Sequence, residues 1–316
     1  MFSRQKIQFE PRADICSLVC SNSRLAIGLV NKTVLRIPLD APHLQNEVEL
    51  SHDVSRLFLD PKGCHLIIAG PSGQNSYVHA SMLNGVKSLS KLAGHVITAV
   101  AWNNQWGDER QTSFVLIGDS TGRIYEACLI YDDKAKAAHM TFCKQVLTVD
   151  AGPICSLILS RCGPGSDKWV VLISCPGKLI PLLFSDVPST FEERHAVLSP
   201  HFQKLTDPEA MPRFHTLPNG GSLSKLAVFG DDPPQYFAWC VTGGVKYGSL
   251  DTTQTDPFKL CHKEDFYKAQ SIDMCLTEFH LVLLEPAVGL RAVCVLNQQT
   301  IYEDNLSAQR FGKVGI

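Results

Sequence analysis

The chain has 316 residues, 45% of them hydrophobic and 19% charged, with 29 basic against 31 acidic side chains and a formal charge of -2. A charged fraction below the roughly 25% of ordinary globular chains excludes a polyelectrolyte or disordered chain. The near-neutral balance, without a cluster of Lys or Arg, excludes an electrostatic footprint for nucleic acid or an anionic membrane.

Read in chain order, short runs of Val, Ile, Leu, Phe and Tyr repeat one pattern: an apolar strand, a polar loop, a more continuously apolar strand, a tight turn and a third strand. The first copy is Ser17-Leu18-Val19, Leu25-Ala26-Ile27-Gly28 and Val34-Leu35-Arg36-Ile37. The second is Leu57-Phe58-Leu59, Leu66-Ile67-Ile68-Ala69-Gly70 and Tyr77-Val78-His79. The third is Ala99-Val100-Ala101-Trp102, Phe114-Val115-Leu116-Ile117-Gly118 and Arg123-Ile124-Tyr125-Glu126-Ala127. A fourth uses Cys155-Ser156-Leu157-Ile158-Leu159, Trp169-Val170-Val171-Leu172-Ile173 and Leu179-Ile180-Pro181-Leu182-Leu183. The fifth has Leu226-Ala227-Val228-Phe229, Tyr236-Phe237-Ala238-Trp239-Cys240-Val241 and Val245-Lys246-Tyr247-Gly248. The sixth has Ile272-Asp273-Met274-Cys275-Leu276, His280-Leu281-Val282-Leu283-Leu284 and Leu290-Arg291-Ala292-Val293-Cys294.

Taking Gly28, Gly70, Gly118, Pro176, Gly243 and Pro286 as the starts of the tight turns, the copies are 42, 48, 58, 67 and 43 residues apart. The shorter spacings match a propeller blade of about 40–50 residues. A second strand that is apolar at consecutive positions is buried on both faces, as in sheets stacked radially face to face. The predicted fold is therefore an all-β, WD-like β-propeller, one domain over residues 1–316, with at most two short helices. Gly94-His95 before the first strand of copy three and Gly118-Asp119-Ser120-Thr121-Gly122 at its turn are WD-type details, and His95 is expected in the hydrogen-bond network of that blade. The long spacings predict an insertion over about 185–222, read as an exposed loop with one outer strand near Phe214, and a smaller polar insertion at Asp132 to Ala138. Ile301-Tyr302-Glu303 is expected to be the outer strand of blade six, and Ile7-Gln8-Phe9 that of the blade that closes the ring.

No chemistry assembles on this pattern. The sequence predicts no catalytic residue, no cofactor-binding residue and no metal ligand, and no cofactor. The twelve cysteines lack any C-x-x-C spacing, and Cys155, Cys175, Cys240, Cys275 and Cys294, set in apolar runs, read as small buried hydrophobes. Gly70-Pro71-Ser72-Gly73 and the 163–168 stretch read as turns rather than phosphate loops. Glu192-Glu193 and Asp231-Asp232 read as solvated loop carboxylates. Trp102, Trp169 and Trp239 read as core and Trp106 as surface. The eleven His are scattered without a constellation. The longest apolar runs, such as Leu179-Ile180-Pro181-Leu182-Leu183-Phe184, are too short to cross a bilayer. The opening Met1-Phe2-Ser3-Arg4-Gln5-Lys6 has no signal-peptide character, so a cytosolic location is expected.

Phe2-Ser3-Arg4-Gln5-Lys6-Ile7-Gln8-Phe9, Val34-Leu35-Arg36-Ile37-Pro38-Leu39, Leu57-Phe58-Leu59-Asp60, Phe237-Ala238-Trp239 with Tyr247-Gly248-Ser249-Leu250-Asp251, and Leu276-Thr277-Glu278-Phe279-His280 give a specific likeness over nearly the whole chain. In these words it resembles the N-terminal propeller of the vacuolar protein sorting family called deep orange in flies. The resemblance implies a non-enzymatic scaffold of the HOPS and CORVET tethering complexes, acting in vesicle-mediated protein transport and membrane fusion. Implied partners are the other class C subunits, including a SNARE-binding subunit of the Sec/Munc type. The implied location is peripheral, on late endosome, lysosome or vacuole membranes. The family's α-solenoid and zinc-binding RING module have no counterpart in these residues, so nothing that depends on them is carried over. The family propeller has seven blades, so six copies predict an incomplete ring with two exposed apolar blade faces. A WD-type adaptor binding peptide or ubiquitin, and a propeller enzyme with a site at the central channel, are the alternatives.

Overall fold

The computed structural model describes residues 11–305 apart from 83–84, 105–107, 188–195, 206–212, 218–220, 222, 231–232 and 287. The apolar runs fold as six antiparallel four-stranded sheets, each a meander in chain order. Blade one is β1 (Ile15–Ser21), β2 (Arg24–Leu29), β3 (Thr33–Pro38) and β4 (Asn46–Glu49), and blade two is β5 (Arg56–Leu59), β6 (His65–Ala69), β7 (Asn75–His79) and β8 (Lys87–Ser88). Blade three is β9 (Ile97–Ala101), β10 (Val115–Asp119), β11 (Arg123–Asp132) and β12 (Ala137–Thr148), and blade four is β13 (Ser156–Arg161), β14 (Trp169–Cys175), β15 (Lys178–Phe184) and β16 (His215–Thr216). Blade five is β17 (Ser224–Phe229), β18 (Tyr236–Val241), β19 (Gly244–Leu250) and β20 (Cys261–Lys268), and blade six is β21 (Asp273–Leu276), β22 (His280–Glu285), β23 (Gly289–Cys294) and β24 (Thr300–Asp304). The three predicted strands of each copy are the first three of each blade. Outer strands stand where they were expected, just after Phe214 and at Ile301-Tyr302-Glu303, whereas Ile7-Gln8-Phe9 lies outside the described residues.

First strands lie side by side in the order β1, β5, β9, β13, β17, β21, and an apolar cluster fills each of the five seams between consecutive blades. Trp169 and Trp239, the largest fully buried side chains, centre the seams of blade four. The double-sided burial predicted for the second strands holds in β2, β6, β10, β14 and β18. It fails in β22, where buried Leu281, Leu283 and Glu285 alternate with half-buried His280, Val282 and Leu284. Leu281 and Leu283 face blade five, and the alternate positions have no comparable seam.

Several expectations need correction. Gly28 and Gly118 lie inside β2 and β10, not at turns. They are there because a Cβ on Gly28 would stand 2.7 Å from Val54 and one on Gly118 2.6 Å from Ile154, where the chain enters the next blade. Asp132 to Ala138 is no insertion loop but the tip of the β11–β12 hairpin, which outgrows the rest of its sheet through pairing that runs, across two register shifts, to Asp132↔Ala137. Helical segments exceed two, since among the described residues one α-helix, α1 (Ser199–Lys204), is joined by three single 3-10 turns. The described residues make six sheets and no seventh. Two bare faces were expected, yet the outward face of blade one is covered: Leu25, Ile27, Leu29, Leu35 and Ile37 are all buried in a cluster with Ala13, Ile15 and Leu39. That cluster draws on no described residue of blade six, and β21 and β1 do not pack together as neighbouring first strands do elsewhere.

Candidate interaction surface

The 185–222 insertion is not simply exposed. Its helix α1 stands against blade three through Glu126, a fully buried carboxylate on β11. Oε1 accepts from the backbone N–H of Val197 at 2.5 Å and Leu198 at 3.0 Å, and Oε2 from Leu198 at 3.1 Å and Ser199 at 2.9 Å. The first turn of a helix has free N–H groups, and a carboxylate is their natural acceptor. Burial pushes the Glu126 carboxyl upward, against the lowering effect of these hydrogen bonds. Leu198 and Phe202 enter the seam of blades three and four, with Phe202 edge-on to Phe184 at 4.8 Å.

The far end of the insertion is tied to blade five. His215 stacks on Phe258 at 4.4 Å, and its Nδ1 lies 3.6 Å from Glu264, which also pairs with Lys246 at 2.6 Å. Between these ties β16 is only two residues long because of Pro181. Leu217 N–H bonds to Gly177 and Leu179 pairs with His215, so the odd-numbered residues of β15 turn their backbones outward. Pro181 offers no N–H to a longer outer strand.

A second assembly joins blades two and three. His65 Nδ1 lies 2.6 Å from the Tyr77 hydroxyl and its Nε2 3.4 Å from the Asp108 carbonyl. The His79 ring is 5.0 Å from His65 and stacks at 4.2 Å on Tyr131 of the projecting hairpin, with Nε2 2.6 Å from the Glu109 carbonyl. Histidines thus do form one constellation, contrary to the sequence reading. Burial lowers His65 to about 4, so that ring is a neutral packing element, and burial lowers His79 in the same direction. Arg36 of β3, inside an apolar strand, crosses to blade two and donates to the carbonyls of His79 at 2.9 Å and Met82 at 2.6 Å. Burial lowers it to about 10.

His95 does sit in a blade network: its Nδ1 lies 3.1 Å from Asp119 Oδ2 and 3.0 Å from the Tyr125 hydroxyl. Asp119 Oδ1 accepts from the backbone N–H of Thr121 and Arg123, closing the β10–β11 turn. The 70–73 and 163–166 stretches are turns closed by Gly73 N–H to Gly70 O and Ser166 N–H to Gly163 O. Trp169 and Trp239 are core and Trp102 is half-buried against the seam of blades two and three, whereas Trp106, Glu192, Glu193, Asp231 and Asp232 lie outside the described residues. Of the cysteines read as buried, Cys175 and Cys240 are, Cys155 and Cys294 are half-buried, and Cys275 is exposed on β21. It is exposed because it lies on the side of blade six away from blade five.

Asp273 pairs with Lys225 at 2.9 Å, and Asp53, in the approach to β5, with Lys32 at 3.8 Å. Among the described residues no three His, Cys, Asp or Glu gather as metal ligands, and no helix is long and apolar enough to cross a membrane. What the arrangement can do is present loops, an anchored insertion and a projecting hairpin on a packed frame.

The family model for the Pep3/Vps18/deep orange beta-propeller domain matches residues 1–315. The vacuolar protein sorting-associated protein 18 homolog of Danio rerio is 28% identical over 99% of this chain and 33% of its own length. The Drosophila melanogaster homolog is 28% identical over 83% of this chain and 28% of its own length. The chain thus spans about a third or less of these relatives. The β-propeller domain of Myceliophteria thermophila Cps50 (Swd1) superposes with a TM-score of 0.52 at 13% identity, covering 86% of this chain and 79% of that one, a likeness of fold alone. The chain belongs to the Pep3/Vps18/deep orange β-propeller family, whose relatives are named for vacuolar protein sorting.

Proposed function

We propose that this chain is a non-enzymatic interaction module, a single propeller domain over residues 1–316, of the endolysosomal tethering complexes HOPS and CORVET. It presents its loops to other class C subunits, among them a SNARE-binding subunit of the Sec/Munc type. The complex so held acts at late endosome, lysosome or vacuole membranes, which the propeller reaches through protein partners. The observation that carries this reading is the family match over residues 1–315. The relatives' names, which speak of vacuolar protein sorting and of no reaction, favour it over a propeller enzyme.

The test is affinity purification of the full-length counterpart with mass spectrometry. Tethering subunits together with a Sec/Munc-type protein are expected. Recovery of metabolic or nuclear proteins alone overturns the reading, and recovery of ubiquitin conjugates alone favours the adaptor.

A further inference from the structure

Helix α1 closes a socket that is complete without it. Blades three and four already meet through their own side chains, with Phe114, just before β10, edge-on to Trp169 of β14 at 5.3 Å and both rings fully buried. Leu116, Ile154 and Ile173 fill the same seam from the blades. Leu198 and Phe202 join it from the insertion, Phe202 against Phe184 at the end of β15. Withdrawing α1 therefore bares an apolar socket while the contact between the blades stays.

The helix has little reason to form by itself. Its six residues fall short of the roughly 12–15 at which an isolated helix is even marginal in water. Its cap is Leu198, which makes no side-chain capping bond, and its first turn holds no acidic residue. Glu126 supplies what the helix lacks by accepting from the N–H groups of Val197, Leu198 and Ser199. The docked state is nevertheless imperfect. The Ser199 hydroxyl is 2% exposed and has no hydrogen-bond partner among the described residues, an unmade bond that destabilises docking. Glu126 is wholly buried, and Lys144, opposite it across the ladder, is exposed. Both the hydroxyl and the carboxylate regain water when α1 leaves, which favours release.

We infer that α1 is a releasable latch, and that the socket it vacates takes a helix of a partner protein with the same signature: leucine at the cap, phenylalanine four residues on, and no Asp or Glu in the first turn. The last feature follows from Glu126. Helix starts ordinarily favour acidic residues, whereas here a carboxylate on the first helical residue would face the carboxylate of Glu126 in a site closed to water. The inference rests on the interaction-module reading for its purpose alone, and its failure leaves the copurification test of that reading standing.

The test joins native-state amide exchange of the purified chain to fluorescence anisotropy of a labelled peptide with the sequence of Ala196 to Leu205. In the natural chain the amides of Ser199 and Phe202 should exchange at least about a hundredfold faster than those of β14. The peptide should bind weakly to the natural chain, where α1 competes. It should bind at least about tenfold more tightly to Phe202→Ser, in which the latch is open and the competent fraction approaches one. Ser199→Ala in the chain removes the orphan hydroxyl, so it should slow exchange in α1 and weaken peptide binding severalfold. A peptide carrying Ser199→Glu should not bind. Exchange in α1 no faster than in β14, peptide binding no tighter to Phe202→Ser than to the natural chain, or equal binding of the Ser199→Glu peptide each overturns the inference. A concentration-dependent dimer of the natural chain that Glu126→Ala abolishes would make a second copy the occupant and overturn it as well. The exchange measurement on the natural chain keeps the test decisive should Phe202→Ser not fold.

Discussion

Acid should weaken the seam between blades two and three, and His65 sets the size of the effect. The ring is 1% exposed, and a neutral form protonated at Nε2 satisfies both of its contacts, with Tyr77 and with the Asp108 carbonyl. Asp60 and Asp108 favour its charged form, whereas burial and His79 oppose it more strongly, leaving the folded value near 4 against an ordinary 6.5. The folded state therefore binds fewer protons than the unfolded chain. The stabilisation is complete above 6.5 and is lost as pH falls from there to about 4, a difference of roughly 3 kcal/mol. Burial lowers His79 in the same direction. Urea unfolding of the natural chain and of His65→Gln from about pH 7.5 down to about pH 4.5 isolates the effect, since all other groups titrate in both. The natural chain should lose roughly 2–3 kcal/mol more than the variant over that interval. Parallel stability curves would refute the reasoning.

Glu126→Ala leaves the Val197, Leu198 and Ser199 N–H groups without their acceptor, so roughly 2 kcal/mol of stability should be lost. Amide exchange at Leu198 and Ser199 should accelerate more than exchange in β14, and uniform acceleration would count against a local anchor. Gly118→Ala places a Cβ against Ile154 and should cost roughly 1–3 kcal/mol in chemical denaturation, whereas the same change at Gly94, with open space around its Cβ position, meets only backbone strain. Thiol labelling of the folded chain should reach Cys20 and Cys275 first, while Cys175, pushed up to about 12, and Cys240, pushed up to about 11, react only on unfolding. A chain extended by one further blade of about 40 residues should melt higher and bind less apolar dye than the 316-residue chain, because the outward face of β22 is only half buried. Equal melting and equal dye binding would sink that expectation.

The strand content, the repeat and the propeller class were legible in the sequence because they depend on local periodicity and on consecutive apolar residues. Leu66-Ile67-Ile68-Ala69 must be buried on both faces wherever it sits, and only stacked sheets provide that. The network of His95 was legible for the same reason, since Gly94-His95 and Asp119 are fixed within one blade. Glu126 and Arg36 left a weaker signal, each a lone charge in an apolar strand, which demands a buried partner but does not say which.

Only tertiary structure decided those partners. Glu126 meets N–H groups about 70 residues away, and Arg36 meets the next blade at His79 and Met82. The role of Gly28 and Gly118 was equally hidden, because a close approach by Val54 or Ile154 looks in one dimension like a turn signal. The alternation in β22 exists because a face is buried only when another sheet lies against it, and which sheets become neighbours depends on the closure of the whole ring. Periodicity thus specified each blade, while contacts between residues distant in sequence decided how the insertion is anchored and which surface remains for a partner.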